Sequence, residues 1–284
     1  MSASPAPPPR PPLPAGRFAI LAAAGAAILA SFQYTGFNPA LLFSAESLGA
    51  IADFGMGFLP PDLSPGFLAT TLKPALETIQ LATAGMAVAL LFGIPLALMA
   101  TGTFHLGGAL FEGGTPAGGP RRALSAAPYW ISRLLLNGMR SIPELIWALL
   151  FVRLAGLGPA AGILGIGVAY AGILGKVFAE IMEGTDIRPA AALVAAGSTR
   201  PRAILYGVFP GSFRTLLSYA LYRWECAMRA AAILGFVGAG GLGQQIEISM
   251  RMFEHQRTAT LILELFLLVA LSDVISAHLR RKFA

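Results

Sequence analysis

EIMEGTDIRPAAALVAAGSTRPRAILYGVFPGSFR, from Glu180 to Arg214, is a long stretch with polar residues throughout, lying between two strongly apolar segments. It marks where a chain otherwise built for a membrane meets water. Pro189 suits the first turn of a helix, where a missing N–H costs nothing, so RPAAALVAAG reads as a short Ala-rich helix. Gly197 marks its end, as the residue that tolerates a left-handed cap. A second short helix is expected from Ser198 or Thr199 as cap, through Arg202 to Tyr206, with Pro210 as its stop. Two short helices joined by a glycine corner make a compact knob that can lie across a groove on a soluble partner. The plainer alternative is an ordinary basic loop.

Composition agrees with the membrane. Of the 284 residues 56% are hydrophobic and 12% charged, and the mean hydropathy is +0.69, with apolar runs long enough to cross a hydrocarbon core. The net charge of +6 does not point to nucleic acid. Lys and Arg cluster beside apolar segments instead of interleaving with aromatics along one polar face. The lone cysteine, Cys226, lies inside an apolar segment, so neither an intrachain disulfide nor a zinc cluster is available to it.

Along the chain, residues 1–17 form a Pro-rich tail, expected to be disordered or polyproline-like. Residues 18–66 hold a first span, Phe18 to Phe32, which also has the length of a signal peptide, and an outer loop. That loop, Thr35 to Thr71, carries Glu46, Asp53 and Asp62 without a Lys or Arg, and a short surface helix is expected over 43–58. The remaining spans are expected at Thr78 to Thr101, kinked at Pro95, and at Ile131 to Leu154, interrupted by Arg140 and Pro143. They continue at Ala160 to Phe178, Thr215 to Val237 and Thr258 to Ala277. Between spans two and three, residues 102–128 are a Gly/Pro-rich insertion with His105 and Glu112. Gly238 to Gln256 is expected as a short outer loop. With six spans and both termini inside, thirteen Lys and Arg lie on the inner side and four, Lys73, Arg153, Arg251 and Arg257, on the outer, as the positive-inside rule requires.

GAGGLG, Gly238 to Gly243, formally satisfies a dinucleotide fingerprint, with Glu264 at about the right distance. Its context is wrong: it follows an apolar helix instead of a strand, and Glu264 lies within the last span. Gly238, Gly240, Gly241 and Gly243 read instead as an irregular break at a membrane boundary and a candidate gate. No P-loop is present in the sequence.

RSIPELIWALLFV (Arg140 to Val152), GILGKVFAEIMEG (Gly172 to Gly184), SYALYRWE (Ser218 to Glu225) and RAAAILGFVGAGGLG (Arg229 to Gly243) together resemble phosphonate-type ABC transporter permeases. GAGGLG alone is also similar to methionine-type permeases. The likeness runs from Phe67 to the C-terminus and is strongest from Arg140 to Gly243. In the loop 181–214, Ala191, Ala192, Gly197 and Pro210 keep the order and spacing of the family's ATPase-coupling loop, except that its leading Glu is here Ala191. The resemblance implies an all-α polytopic membrane protein with about six transmembrane helices, residues 67–284 forming a type I importer core. It also implies pairing with a second permease copy or paralogue, two ATP-binding-cassette subunits that carry the ATP, and a periplasmic binding protein, in a bacterial inner membrane. No cofactor is expected on this chain. The implied function is import of phosphonate or a related phosphorus oxyanion, such as phosphate or phosphite. A permease for another solute, such as methionine, is the alternative within the class. A membrane-embedded enzyme or a stand-alone channel is the alternative outside it: the enzyme lacks convergent His, Asp or Cys groups, and the channel has no use for a coupling loop.

Ionisable groups at membrane depth are costly unless paired or wetted, so they mark function by default. Arg140 with Glu144, and Glu225 with Arg229, stand four residues apart and are expected to pair along one helix face. Arg223 has Tyr219 and Ala227 at those offsets and no carboxylate. An unpaired cation is what an oxyanion needs in a low-dielectric passage, so Arg223 is the leading pathway candidate.

Overall fold

A computed structural model describes residues 15–36, 43–105 and 120–283. The first tail residues, the body of the 102–128 insertion with Glu112, and the side chain of His105 lie outside the described residues. Two units are separated near residue 57. The first holds α1 (Ala15–Tyr34) and α2 (Ala45–Gly57). The short helix expected over 43–58 is therefore present as α2, with Glu46 in its first turn, where a carboxylate complements the helix dipole.

The second unit, residues 58–284, holds α3 (Pro65–Ala100), the single turn α4 (Gly102–His105), α5 (Pro120–Ser141), α6 (Glu144–Ala155), α7 (Pro159–Glu183) and α8 (Arg188–Ala195). The turn α9 (Arg200–Ala203), α10 (Phe209–Leu234), α11 (Gly241–Arg251) and α12 (His255–Phe283) follow. The core forms around α7, which packs against α3, α5, α6 and α10. Glycines make this possible. A Cβ on Gly172 would stand 2.6 Å from the Arg140 backbone nitrogen, and one on Gly165 3.0 Å from the Ala148 Cα. The backbones of α5 and α6 thus approach α7 more closely than any side chain permits, as small-residue packing between membrane helices predicts.

Three helices, α3, α7 and α12, are long and apolar enough to cross a membrane, and two bent pairs raise the number to five. The apolar helix Phe18–Tyr34 is shorter. Several boundaries differ from those expected. The second span begins at Pro65 instead of Thr78 and continues helically through Pro74 and Pro95. The span expected at 131–154 is two helices, α5 and α6, meeting at 91°. Pro143 removes an N–H and disfavours helical geometry at Ile142, so α5 stops at Ser141 and a new helix starts at Glu144. The Trp147 indole N–H donates to the Met139 carbonyl at 3.1 Å and fastens this bend from inside.

Pro210 is not a stop. It lies in the first turn of α10, and the chain stays helical from Arg200 onward through a π turn, Ile204–Val208. The Phe209 N–H donates to the Ile204 carbonyl, five residues back. This widened turn precedes a proline that cannot itself supply a helical amide bond. The fifth segment therefore starts six residues before the expected Thr215. The outer loop expected at 238–256 is largely helix α11, which turns 55° from the helix before it.

Candidate functional site

The knob has the geometry that its sequence asks for. Gly197 takes φ +89°, its N–H donates to the Val194 carbonyl at 2.9 Å, and the Ser198 N–H donates to the Leu193 carbonyl at 2.9 Å. These are the two bonds of a Schellman cap. Ala190, fully buried, seats α8 on the π turn, where a Cβ on Gly207 would come within 2.5 Å of the Ala190 Cα. Ala191 is half-buried, while Ala192, Gly197 and Pro210 are exposed. The entry to α8 is pinned by Asp186, whose carboxylate accepts bonds from the Arg188 backbone N–H at 3.0 Å and from its guanidinium at 2.7 Å. Those side-chain bonds, reinforced by the backbone bond, hold the Asp186 carboxyl at a pKa of about 2. The contact is present above the ordinary carboxylate range and is lost only as pH falls through that value. A cleft of about 480 Å³ opens beside it, lined by Thr185, Asp186, Pro189, Gly207, Gly211 and Thr215.

Above the knob, α10 carries Arg223 between two rings. Its guanidinium carbon stands 5.2 Å from the Tyr170 ring centroid and 5.8 Å from that of Tyr219. Both distances lie within cation–π range. The i−4 neighbour that offers no charge does offer a ring face. The Arg223 Nε is buried without a hydrogen-bond acceptor. Tyr170 itself is buried on α7. Central α7 and α10 therefore meet around the Arg223 guanidinium, each contributing one ring.

The other two charge pairs behave differently from one another. Glu225 and Arg229 pair at 3.2 Å as spacing predicts. Arg280 on α12 also reaches the Glu225 carboxylate, at 3.5 Å, so this buried carboxylate lies between two cations on different helices. Arg140 and Glu144 do not share a helix face, because the break at Pro143 lies between them. Among the described residues Arg140 is exposed and has no ion pair.

The glycine break joins α10 to α11 through a kink, Gly235–Ala239, in which Val237 and Gly238 leave helical geometry. Gly238, Gly240 and Gly241 take φ of +87°, +97° and +75°, a region closed to most side chains. Gly243 lies where any Cβ would overlap the Ala232 carbonyl. Two residues of α3 that sequence reasoning did not single out meet the far side of this break. Glu77 accepts the Gly241 N–H at 3.2 Å, and the Thr78 hydroxyl accepts the Leu242 N–H at 2.9 Å. No local signal could have found them, since their partners lie 164 residues away. Among the described residues no group of three or more His, Cys, Asp or Glu could hold a metal ion.

Comparison with known proteins agrees with this architecture. Residues 113–284 match the family described as binding-protein-dependent transport system inner membrane component. The chain is 33% identical over 242 residues to the phosphite transport system permease protein PtxC of Stutzerimonas stutzeri, covering 84% of this chain and 79% of that one. It is 29% identical over 207 residues to the phosphate-import permease protein PhnE of Mycolicibacterium smegmatis, covering 73% of this chain and 36% of that one. Among solved structures, a chain of the inward-facing MetNI methionine ABC transporter superposes with a TM-score of 0.64 at 20% identity, covering 78% of this chain and all of that one. At that identity the likeness shows the type I importer fold. The chain is a multi-pass membrane protein and belongs to the binding-protein-dependent transport system inner membrane component family.

Proposed function

We propose that this chain is the permease subunit that passes phosphite, phosphonate or a related phosphorus oxyanion into the cytoplasm. The similarity to a phosphite-system permease over 84% of the chain carries this reading. Arg223 supports it from the chemistry, being a cation inside the bundle with an unused buried N–H and no carboxylate of its own. A guanidinium held by ring faces offers a positive field to a passing anion without closing a permanent ion pair. Arg229, exposed and paired with Glu225, follows on the same helix, and Arg140 and Glu144 flank the Pro143 bend. Glu225 acts as the anchor that joins α10 to α12.

The permease works as one of a pair, with an identical copy or a paralogue, on two ATP-binding-cassette subunits that hydrolyse the ATP. A periplasmic binding protein delivers the solute. The knob at Ala191, Ala192, Gly197 and Pro210 meets the ATPase on the cytoplasmic side, where both termini also lie, and the break at Gly238 to Gly243 gates the periplasmic side. Charge distribution supports that orientation. The test is uptake into vesicles holding the whole transporter with its ATPase and binding protein. ATP-dependent accumulation of isotope-labelled phosphite or methylphosphonate is expected, with none of methionine. Methionine uptake without phosphorus uptake would overturn the substrate assignment.

A further inference from the structure

The elbow between α10 and α11 is packed backbone on backbone, without interlocking side chains at its centre. Where the two helices press together, Gly235 faces Gly243: a Cβ on Gly235 would lie 2.7 Å from the Gly243 Cα. Neither residue has a side chain to interlock with the other. The connecting backbone runs through Gly238, Gly240 and Gly241, all at positive φ, where rotation meets little steric resistance. α12 packs against α11 through Leu242, Ile246 and Leu261, and α3 adds hydrogen bonds to the first amides of α11.

Two adjacent side chains of α3 make these bonds. The Thr78 hydroxyl donates to the Pro74 carbonyl at 3.0 Å, which aims its lone pairs at the Leu242 N–H. Thr78 is wholly buried. Beside it the Glu77 carboxylate accepts the Gly241 N–H, meeting the positive end of α11, where the helix dipole and the free amides of the first turn favour an anion. A backbone bond from the Gly158 N–H to the Gly238 carbonyl, 3.0 Å long, adds a tether from the turn before α7. Two of these three contacts can be released by moving one helix, since both acceptors lie on α3 and both donors on α11.

We propose that Glu77 and Thr78 are positioning residues that latch the α10–α11 elbow, and that their release is the step by which the glycine break moves during transport. The proposal rests on the permease reading above. A latch differs from a permanent helix cap in what its loss does. Removing a cap lowers the amount of folded protein, whereas removing a latch uncouples the gate from its trigger in protein that is folded and assembled.

The test uses the complete complex with its ATPase subunit in vesicles, and reads ATP hydrolysis per assembled transporter with neither binding protein nor solute present. Glu77→Ala and Thr78→Val should each raise this unstimulated hydrolysis about three- to tenfold, as expected for losing one restraining hydrogen bond. Glu77→Gln keeps an acceptor oxygen and Thr78→Ser keeps the hydroxyl, so both should remain near wild type. Hydrolysis per assembled transporter that is unchanged or lower in both Glu77→Ala and Thr78→Val would overturn the latch and leave the pair as a structural cap. This measurement does not depend on which solute is carried. A wild-type complex that takes up no phosphorus oxyanion removes the substrate assignment and leaves the latch still open to this measurement.

Discussion

Arg223 has two ring faces and no carboxylate, and that combination decides what its loss should do. Arg223→Gln keeps most of the length and hydrogen bonding and removes the charge. Phosphite uptake per assembled transporter should fall several-fold or more while ATP hydrolysis persists, because one lost charge contact is worth about 1–3 kcal/mol. Arg223→Lys should keep part of the activity, retaining the field but not the planar stacking on Tyr170 and Tyr219. Arg140→Gln is the control: exposed and unpaired among the described residues, it should leave the amount of assembled protein unchanged. Wild-type uptake by Arg223→Gln would remove this residue from the passage. The isolation of Arg223 was legible because the i±4 positions are short-range facts of a helix. Arg140 and Glu144 misled for the same reason, since their spacing implies a shared face only if the helix continues, and Pro143 ends it. Glu225 was half legible: spacing supplies Arg229, but Arg280 comes from another helix.

At the scale of elements, the knob is the part that local chemistry specified best. Pro189 opens α8, Gly197 closes it, and the left-handed corner has the predicted sign of φ. Gly197→Val should insert and assemble yet lose coupling, because a β-branched residue resists positive φ. A Cβ there meets no neighbouring atom within 4 Å, so the strain lies in the backbone alone. Binding-protein-stimulated ATP hydrolysis equal to wild type in this variant would show that the corner does not transmit the signal. What sequence could not supply is the continuation past the knob. Pro210 looks like a terminator in a chain of 3.6-residue turns, and becomes a first-turn proline once the turn before it is widened by one residue. Helix α11 was hidden similarly, because its polar composition suits a loop until α3 and α10 are there to pack against it.

For the whole molecule, the strongest untested consequence is its sidedness. In a Cys226→Ala background, single cysteines at Thr199 and Met252, both exposed, should label from opposite faces, Thr199 from the cytoplasm. Labelling of both from one side would overturn the orientation. Hydropathy and charge asymmetry made the class and much of the span pattern legible, and Pro143 and the glycines marked where two spans break, but not the angles of 91° and 55° that they take. One feature joins the two ends of this scheme. From Arg200 to Phe236 the chain is a continuous helical run, with one widened turn at Ile204–Val208, before Val237 and Gly238 leave helical geometry; it is about 55 Å long at a rise of 1.5 Å per residue. It has the form of a shaft, with the knob at one end, the glycine elbow at the other and Arg223 on its flank. A twist applied to such a rod at one end would be carried to the other through the helix's own hydrogen bonds. Phase is set by number: one residue more or fewer between the knob and Tyr219 turns everything beyond it by about 100° and carries Arg223 off the Tyr170 ring, while Tyr219 turns with it. The stretch between knob and elbow is therefore lenient in composition and strict in count.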